Sequence, residues 1–209
     1  MKRRQFALAA AALPGLLALS ARAQPAKGYT ELTQRAPTES PAGKIEVLEF
    51  FSYGCPHCMH FEPAFSNWKK NAPDDVAVLR VHVAFQRNFE PLQRIYYALE
   101  ALGKADDPVH AKVFEALQVQ RKRLDRPEVL FPWMAEQGVD RARFEEIYKS
   151  FGVTTKVNRA IQLQDAYGVE GTPALGIAGR FYTDSTLAGS FERMLQIANT
   201  LIAQVRKDG

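Results

Sequence analysis

The stretch Lys44-Ile45-Glu46-Val47-Leu48-Glu49-Phe50-Phe51-Ser52, running into Tyr53-Gly54-Cys55-Pro56-His57-Cys58, decides how this chain is read. Ile45, Val47, Leu48, Phe50 and Phe51 form a near-continuous apolar run, the pattern of a strand covered on both faces. After Gly54 the period changes. Phe61, Phe65 and Trp68 follow at helical spacing, and the pattern stops at Asn71-Ala72-Pro73. Val76 to Val83 is rich in valine and reads as a second strand. Strand, helix and strand within about 40 residues predict a βαβ unit with parallel strands and a right-handed crossover.

Working outward, residues 85–165 carry only helical patterns. Ile95, Leu99 and Leu102 share a face before Gly103, and Val109, Val113 and Leu117 make a second stripe after Pro108. Asp125 is placed to cap a third helix, with Pro127 in its first turn and Gly138 near its end. Asp140 caps a fourth through Phe144, Ile147, Tyr148 and Phe151, and Thr154 or Thr155 opens a fifth that runs to Gly168. Strand patterns return at Ala174–Ala178 and Phe181-Tyr182 about a turn at Gly179-Arg180, and Ser190 caps a last helix through Phe191, Leu195, Leu201 and Val205. Neither β half makes a stable sheet alone. The expectation is therefore an α/β fold in which residues 44–84 and 166–209 form one domain and 85–165 are an inserted all-helical domain.

Met1-Lys2-Arg3-Arg4 and the apolar Phe6–Leu19 precede Ala21-Arg22-Ala23, the pattern of a cleaved export signal over residues 1–23. The apolar run is shorter than the roughly 20 residues a membrane-spanning helix needs. Arg3-Arg4-Gln5-Phe6 also resembles a twin-arginine signal. Residues 24–43, with Pro25, Gly28, Pro37, Pro41 and Gly43, read as an extended arm. Four of the 27 basic residues lie in the signal, which leaves 23 against 23 acidic ones. A mature chain of zero formal charge gives no electrostatic reason to expect nucleic acid as a partner.

Two cysteines in 209 residues exclude a scaffold of several disulfides. Cys55 falls where a helix begins, so unsatisfied N–H groups and the positive end of the helix dipole stabilise its thiolate. His57 can add positive charge or a hydrogen bond, and Pro56 suits a first helical turn. A stabilised thiolate leaves readily, which makes the Cys55–Cys58 disulfide oxidising. A structural role fits poorly, because so short a loop constrains the unfolded chain little. Metal binding by the two cysteines with His57 or His60 is the competing chemistry. Haem attachment is disfavoured by Met59, which separates Cys58 from His60.

Thr172-Pro173 stands before the third strand. A cis bond is one possibility there, although base rates favour trans. Glu49 is a charge in an apolar strand. Buried beneath the cysteines it would accept a proton from Cys58, and at a wet edge it would do nothing. His82 and His110 read as structural or exposed.

Val47-Leu48-Glu49-Phe50-Phe51-Ser52-Tyr53-Gly54-Cys55-Pro56-His57-Cys58 resembles the active-site segment of the DsbA family of periplasmic thiol:disulfide interchange proteins. The likeness covers nearly all the mature chain, and Pro-His between the cysteines sets it apart from thioredoxins with Gly-Pro. The resemblance implies a thioredoxin fold with a helical insertion, a cis Pro173 beside the sulfurs, and Thr172 shaping partner contacts. It also implies a supporting buried acid at Glu49, with Cys55 as nucleophile and Cys58 as its disulfide partner. The implied partners are secreted proteins with free thiols and a quinone-linked membrane reoxidant of the DsbB type, with no dissociable cofactor and a monomeric state. The strong oxidising poise of this family is a general example of how thiolate stability sets potential. Tyr53-Gly54 departs from members with two aromatics there. A disulfide isomerase or reductase of the same fold, or a metal-binding protein, are the alternatives.

Overall fold

A computed structural model describes residues 27–106 and 108–208. Residues 1–23, expected to be an export signal, and the first three residues of the arm lie outside them. The arm supplies strand β1 (Thr30–Glu31); then come β2 (Ile45–Phe51), helix α1 (Pro56–Lys70) and β3 (Val76–His82). A 3-10 turn at Arg87–Phe89 leads into α2 (Glu90–Ala101), α3 (Pro108–Gln118), α4 (Pro127–Glu136), α5 (Arg141–Tyr148) and α6 (Phe151–Tyr167). The chain closes with β4 (Ala174–Ile177), β5 (Phe181–Asp184), α7 (Ser185–Ala188) and α8 (Phe191–Asp208).

The sheet runs β1-β5-β4-β2-β3. β2 and β3 are parallel from Ile45 opposite Val76 to Phe51 opposite His82, as the βαβ reading requires. β4 pairs antiparallel with β2, and β5 with β4, so the helices α2 to α6 are inserted into a sheet that needs both flanking halves. One core, with Val47, Phe61, Phe65, Ile177 and Leu201, joins α1 and α8 to the sheet. The other, with Leu48, Phe50, Phe51, Tyr53, Ile95, Phe114 and Tyr167, joins the sheet to the inserted helices. Burial on both faces explains the unbroken apolar run in β2.

Five local expectations are corrected. Asp125 does not cap α4: Pro127 takes the first helical position, which makes Arg126 the cap, and Asp125 is bound by Arg123 at 2.7 Å instead. Phe151 does not continue the apolar stripe of α5. It opens α6 and is 84% exposed. The cap of α6 is Ser150, whose hydroxyl accepts from Val153 N at 3.2 Å, so Thr154 and Thr155 lie inside the helix. The β4–β5 turn is centred one residue earlier, at Ala178 and Gly179, both with positive φ. The arm is not merely extended, since β1 pairs with β5. The Asp140 cap is found, with its carboxylate accepting from Arg143 N at 2.9 Å, and so is the Ser190 hydroxyl accepting from Arg193 N at 3.1 Å.

Candidate active site

β2 ends at Phe51, and three backbone N–H groups fix the turn that follows. Cys55 N–H donates to Ser52 O at 2.9 Å, Gly54 N–H to Ser52 Oγ at 3.3 Å, and Tyr53 N–H to Nε2 of His82 at 3.0 Å. Cys55 then stands immediately before α1 as its cap residue, with Pro56 at the first helical position and no side chain capping the helix. The first-turn N–H groups are therefore free to serve the Cys55 sulfur. Cys58 lies one turn in and is buried, while Cys55 is partly open. The Cys55 thiol donates to Thr172 O at 3.2 Å, and the Thr172-Pro173 bond is cis, as the family resemblance and not the base rate implied.

The two sulfurs, both free thiols, are driven apart electrostatically. The hydrogen bond from Cys58 holds Cys55 down at about 5. Partial burial opposes it, and the Thr172 side chain with the backbone N–H groups of Cys58 and His57 assists. Burial pushes Cys58 far above its ordinary value, reinforced by the neighbouring sulfur. His57 thus acts on Cys55 through its backbone, and its ring is exposed. One group accepts negative charge and its partner refuses it, an arrangement suited to a leaving thiolate.

Beneath the turn lies a buried polar network. Glu49 is buried, and its carboxylate accepts from Arg80 Nε at 2.9 Å, the residue directly opposite on β3. Burial pushes Glu49 up to about 8 against the pull of Arg80. Arg80 also donates to Glu62 at 2.8 Å and to Asp106 at 2.6 Å, so one guanidinium serves three carboxylates. Glu49 hydrogen-bonds neither cysteine. It does share Arg80 with Glu62, one helical turn beyond Cys58 on α1.

His82 and His110 are both buried, which settles the choice between structural and exposed positions. His82 accepts the Tyr53 N–H at Nε2, and its Nδ1 lies 3.0 Å from Val83 O. Those contacts suit the neutral ring, and burial holds its proton affinity down at about 3. Nδ1 of His110 is 2.7 Å from the Tyr53 hydroxyl. Its Nε2 lies 3.3 Å from Glu62 without the alignment of a hydrogen bond.

Sequence reasoning passed over two residues of this supporting shell. Arg80 could have been found from the parallel register, which sets a basic residue against Glu49. Gln118 gave no signal. It ends α3, and its amide donates to Tyr53 O at 2.9 Å and Cys55 O at 3.0 Å, tying the inserted helices to the cysteine turn. Gly54 also has a reason: a Cβ there would sit 2.9 Å from the Phe89 ring, so Phe89 occupies the space that a side chain at 54 would take. Among the described residues no group of three or more His, Cys, Asp or Glu is placed to hold a metal ion.

Residues 77–197 match the model of the DSBA-like thioredoxin domain. The thiol:disulfide interchange protein DsbA of Bordetella parapertussis is 44% identical over 205 residues, which cover 98% of this chain and 97% of that protein. The chain belongs to the DsbA family. The DsbA of Pseudomonas aeruginosa is 37% identical over 95% of the chain and 93% of its own length. Its crystal structure superposes with a TM-score of 0.83 at 36% identity, covering 87% of this chain and 94% of that one. The Neisseria meningitidis oxidoreductase NmDsbA1 gives 0.77 at 31% identity, covering 87% and 93%. As a DsbA-family member the chain has a thioredoxin fold with a helical insertion, and it is a thiol:disulfide oxidoreductase that forms disulfides by exchange.

Proposed function

We propose that this protein works in the periplasm, donating the Cys55–Cys58 disulfide to newly exported proteins. The observation that carries this reading is the opposed behaviour of the two sulfurs, one held at about 5 and the other pushed far upward. A client thiolate attacks Cys55 Sγ, the Cys55–Cys58 bond breaks, and Cys58 takes up a proton as it leaves. The second client thiol loses its proton and attacks the client sulfur of the mixed disulfide, which releases Cys55 as a thiolate. The client has lost two electrons and the protein has gained them. Thr172 and Pro173 position the client beside Cys55, and Pro56 and His57 hold the first helical turn. Glu49 takes the Cys58 proton when a quinone-linked membrane partner of the DsbB type reoxidises the pair.

Domain roles follow from the same reading. Residues 44–84 and 166–209 carry the chemistry, 85–165 cover it, and residues 1–23 direct export. Among the described residues no helix is long and apolar enough to cross a membrane.

The test mixes the oxidised protein with a reduced two-cysteine peptide in chelator. One peptide disulfide should form for each protein disulfide lost, and none with Cys55→Ser. Absence of transfer refutes the proposal. Faster reshuffling of scrambled disulfides than oxidation of thiols would assign an isomerase instead.

A further inference from the structure

The pocket at Cys55, about 240 Å³, is lined by Ser52, Gly54, Thr172, Phe85 and Phe89. Phe89 also lines a second cleft of about 360 Å³, so the two hollows share a wall. That second cleft is lined by the apolar Phe89, Leu92 and Leu117, by Asn88, and by a charged edge of Arg121, Lys122, Arg123 and Asp125. Asp125 accepts both arms of Arg123, at 2.8 and 2.7 Å, and neutralises it. Arg121 and Lys122 are exposed and have no acidic partner among the described residues, so the rim keeps two unbalanced positive charges.

Distance puts this rim within reach of the chemistry. The side-chain amide of Gln118 touches Cys55 O at 3.0 Å, and Arg121 lies three residues on, at most about 11 Å of backbone beyond Gln118 and with its own long side chain to reach back. A client residue two or three positions from its own cysteine spans a similar length. The conformation of Arg121 points the same way. Its φ is 57°, a left-handed backbone that glycine or asparagine adopts more cheaply.

We propose that this cleft is a second client subsite, which takes an acidic side chain two or three residues from the client cysteine, its apolar neighbours resting on Phe89 and Leu117. The inference rests on the disulfide-donor reading of Cys55. The subsite would make the protein favour cysteines in acidic segments, an effect that salt screens.

The experiment compares two reduced two-cysteine peptides that carry Glu or Gln at the positions two and three residues after the first cysteine. With the oxidised full-length protein at low salt, the second-order rate constant for oxidation of the Glu peptide should exceed that for the Gln peptide about fourfold, equivalent to about 0.8 kcal/mol. The ratio should fall towards one in 0.5 M salt and in the Arg121→Gly/Lys122→Gln double variant. Glycine accepts the left-handed backbone, so the variant's thermal midpoint should hold or rise, which separates client recognition from folding. Arg143→Ala, on α5 outside the cleft, should keep the ratio. A ratio near one in the unsubstituted protein, or one that survives the double variant, overturns the subsite. Binding to anionic vesicles through Arg121 and Lys122 without a peptide preference would reassign the rim to a membrane surface and also overturn it. Failure to oxidise either peptide would strike the donor reading itself.

Discussion

Raising the pH should stabilise the reduced protein relative to the oxidised one. The Cys55 thiol titrates near 5 in the fold and at its ordinary value near 9 once unfolded. Because the folded value is the lower, the unfolded chain holds one more proton between those limits, and stability rises with pH across them. The contribution is complete above about pH 9 and is lost as the pH falls through about 5. At about 1.4 kcal/mol per pH unit the window amounts to about 5 kcal/mol. The sulfur is partly open to water, and screening leaves about 3 kcal/mol, of which about 2.5 falls between pH 4 and pH 8. Cys58 adds little in that range, being protonated in both states. Closing a four-residue ring restricts the unfolded oxidised chain by about 2 kcal/mol at any pH. The two effects are close enough for the order to change, with the reduced form the more stable at pH 8 and the oxidised form at pH 4. Urea unfolding of both forms in chelator, followed by circular dichroism from pH 4 to pH 8, measures the gap. Cys58→Ser should keep the pH slope of the reduced protein and Cys55→Ser should lose it. A gap independent of pH would refute the link between the Cys55 thiolate and the redox poise.

Two further outcomes follow from the supporting shell. Arg80→Met leaves the carboxylates of Glu49 and Glu62 buried without their cation, and should cost about 3–5 kcal/mol at pH 7. The Glu49 share of that cost should grow as the pH rises through about 8, where its carboxyl gives up its proton; a loss below about 1 kcal/mol in urea unfolding would show that the network is dispensable. Gln118→Ala removes the donor to Tyr53 O and Cys55 O, and should cost about 1–2 kcal/mol with faster amide exchange over residues 53–58. Unchanged exchange there would show that the turn holds without the helical insertion.

Most of the fold could be read because its signals are local. The apolar run of β2, the stop at Asn71 and the glycines after the helices each act within a few residues. The errors arose where two local signals competed. Asp125 is a good capping residue, but Pro127 moves the cap to Arg126 and Arg123 claims the carboxylate. Phe151 fits the spacing of α5, yet Ser150 starts a new helix one residue before it. β1 is two residues long and owes its existence to the edge of β5, so no pattern announced it. At the site, Cys55, Cys58 and Glu49 were visible because a thiol pair at a helix start and a charge in a buried strand are exceptions to their surroundings. His82 and Gln118 were not legible as supports. Each acts through a bond to backbone far along the chain, and no sequence spacing encodes such a bond.

The antiparallel pairing of β2 with β4 joins Val47 to Ile177, residues 130 apart. During synthesis β2, α1 and β3 are complete long before β4 exists, and the intervening helices can fold from contacts close in sequence. At about 5–20 residues per second, the open edge of β2 waits on the order of 10 seconds for its partner. Throughout that interval an apolar strand with unpaired backbone groups stands beside a reactive Cys55, the kind of edge on which other chains aggregate. Holding nascent chains off that edge, by a chaperone or by rapid packing of the inserted helices, is therefore a requirement this topology places on the cell that makes it.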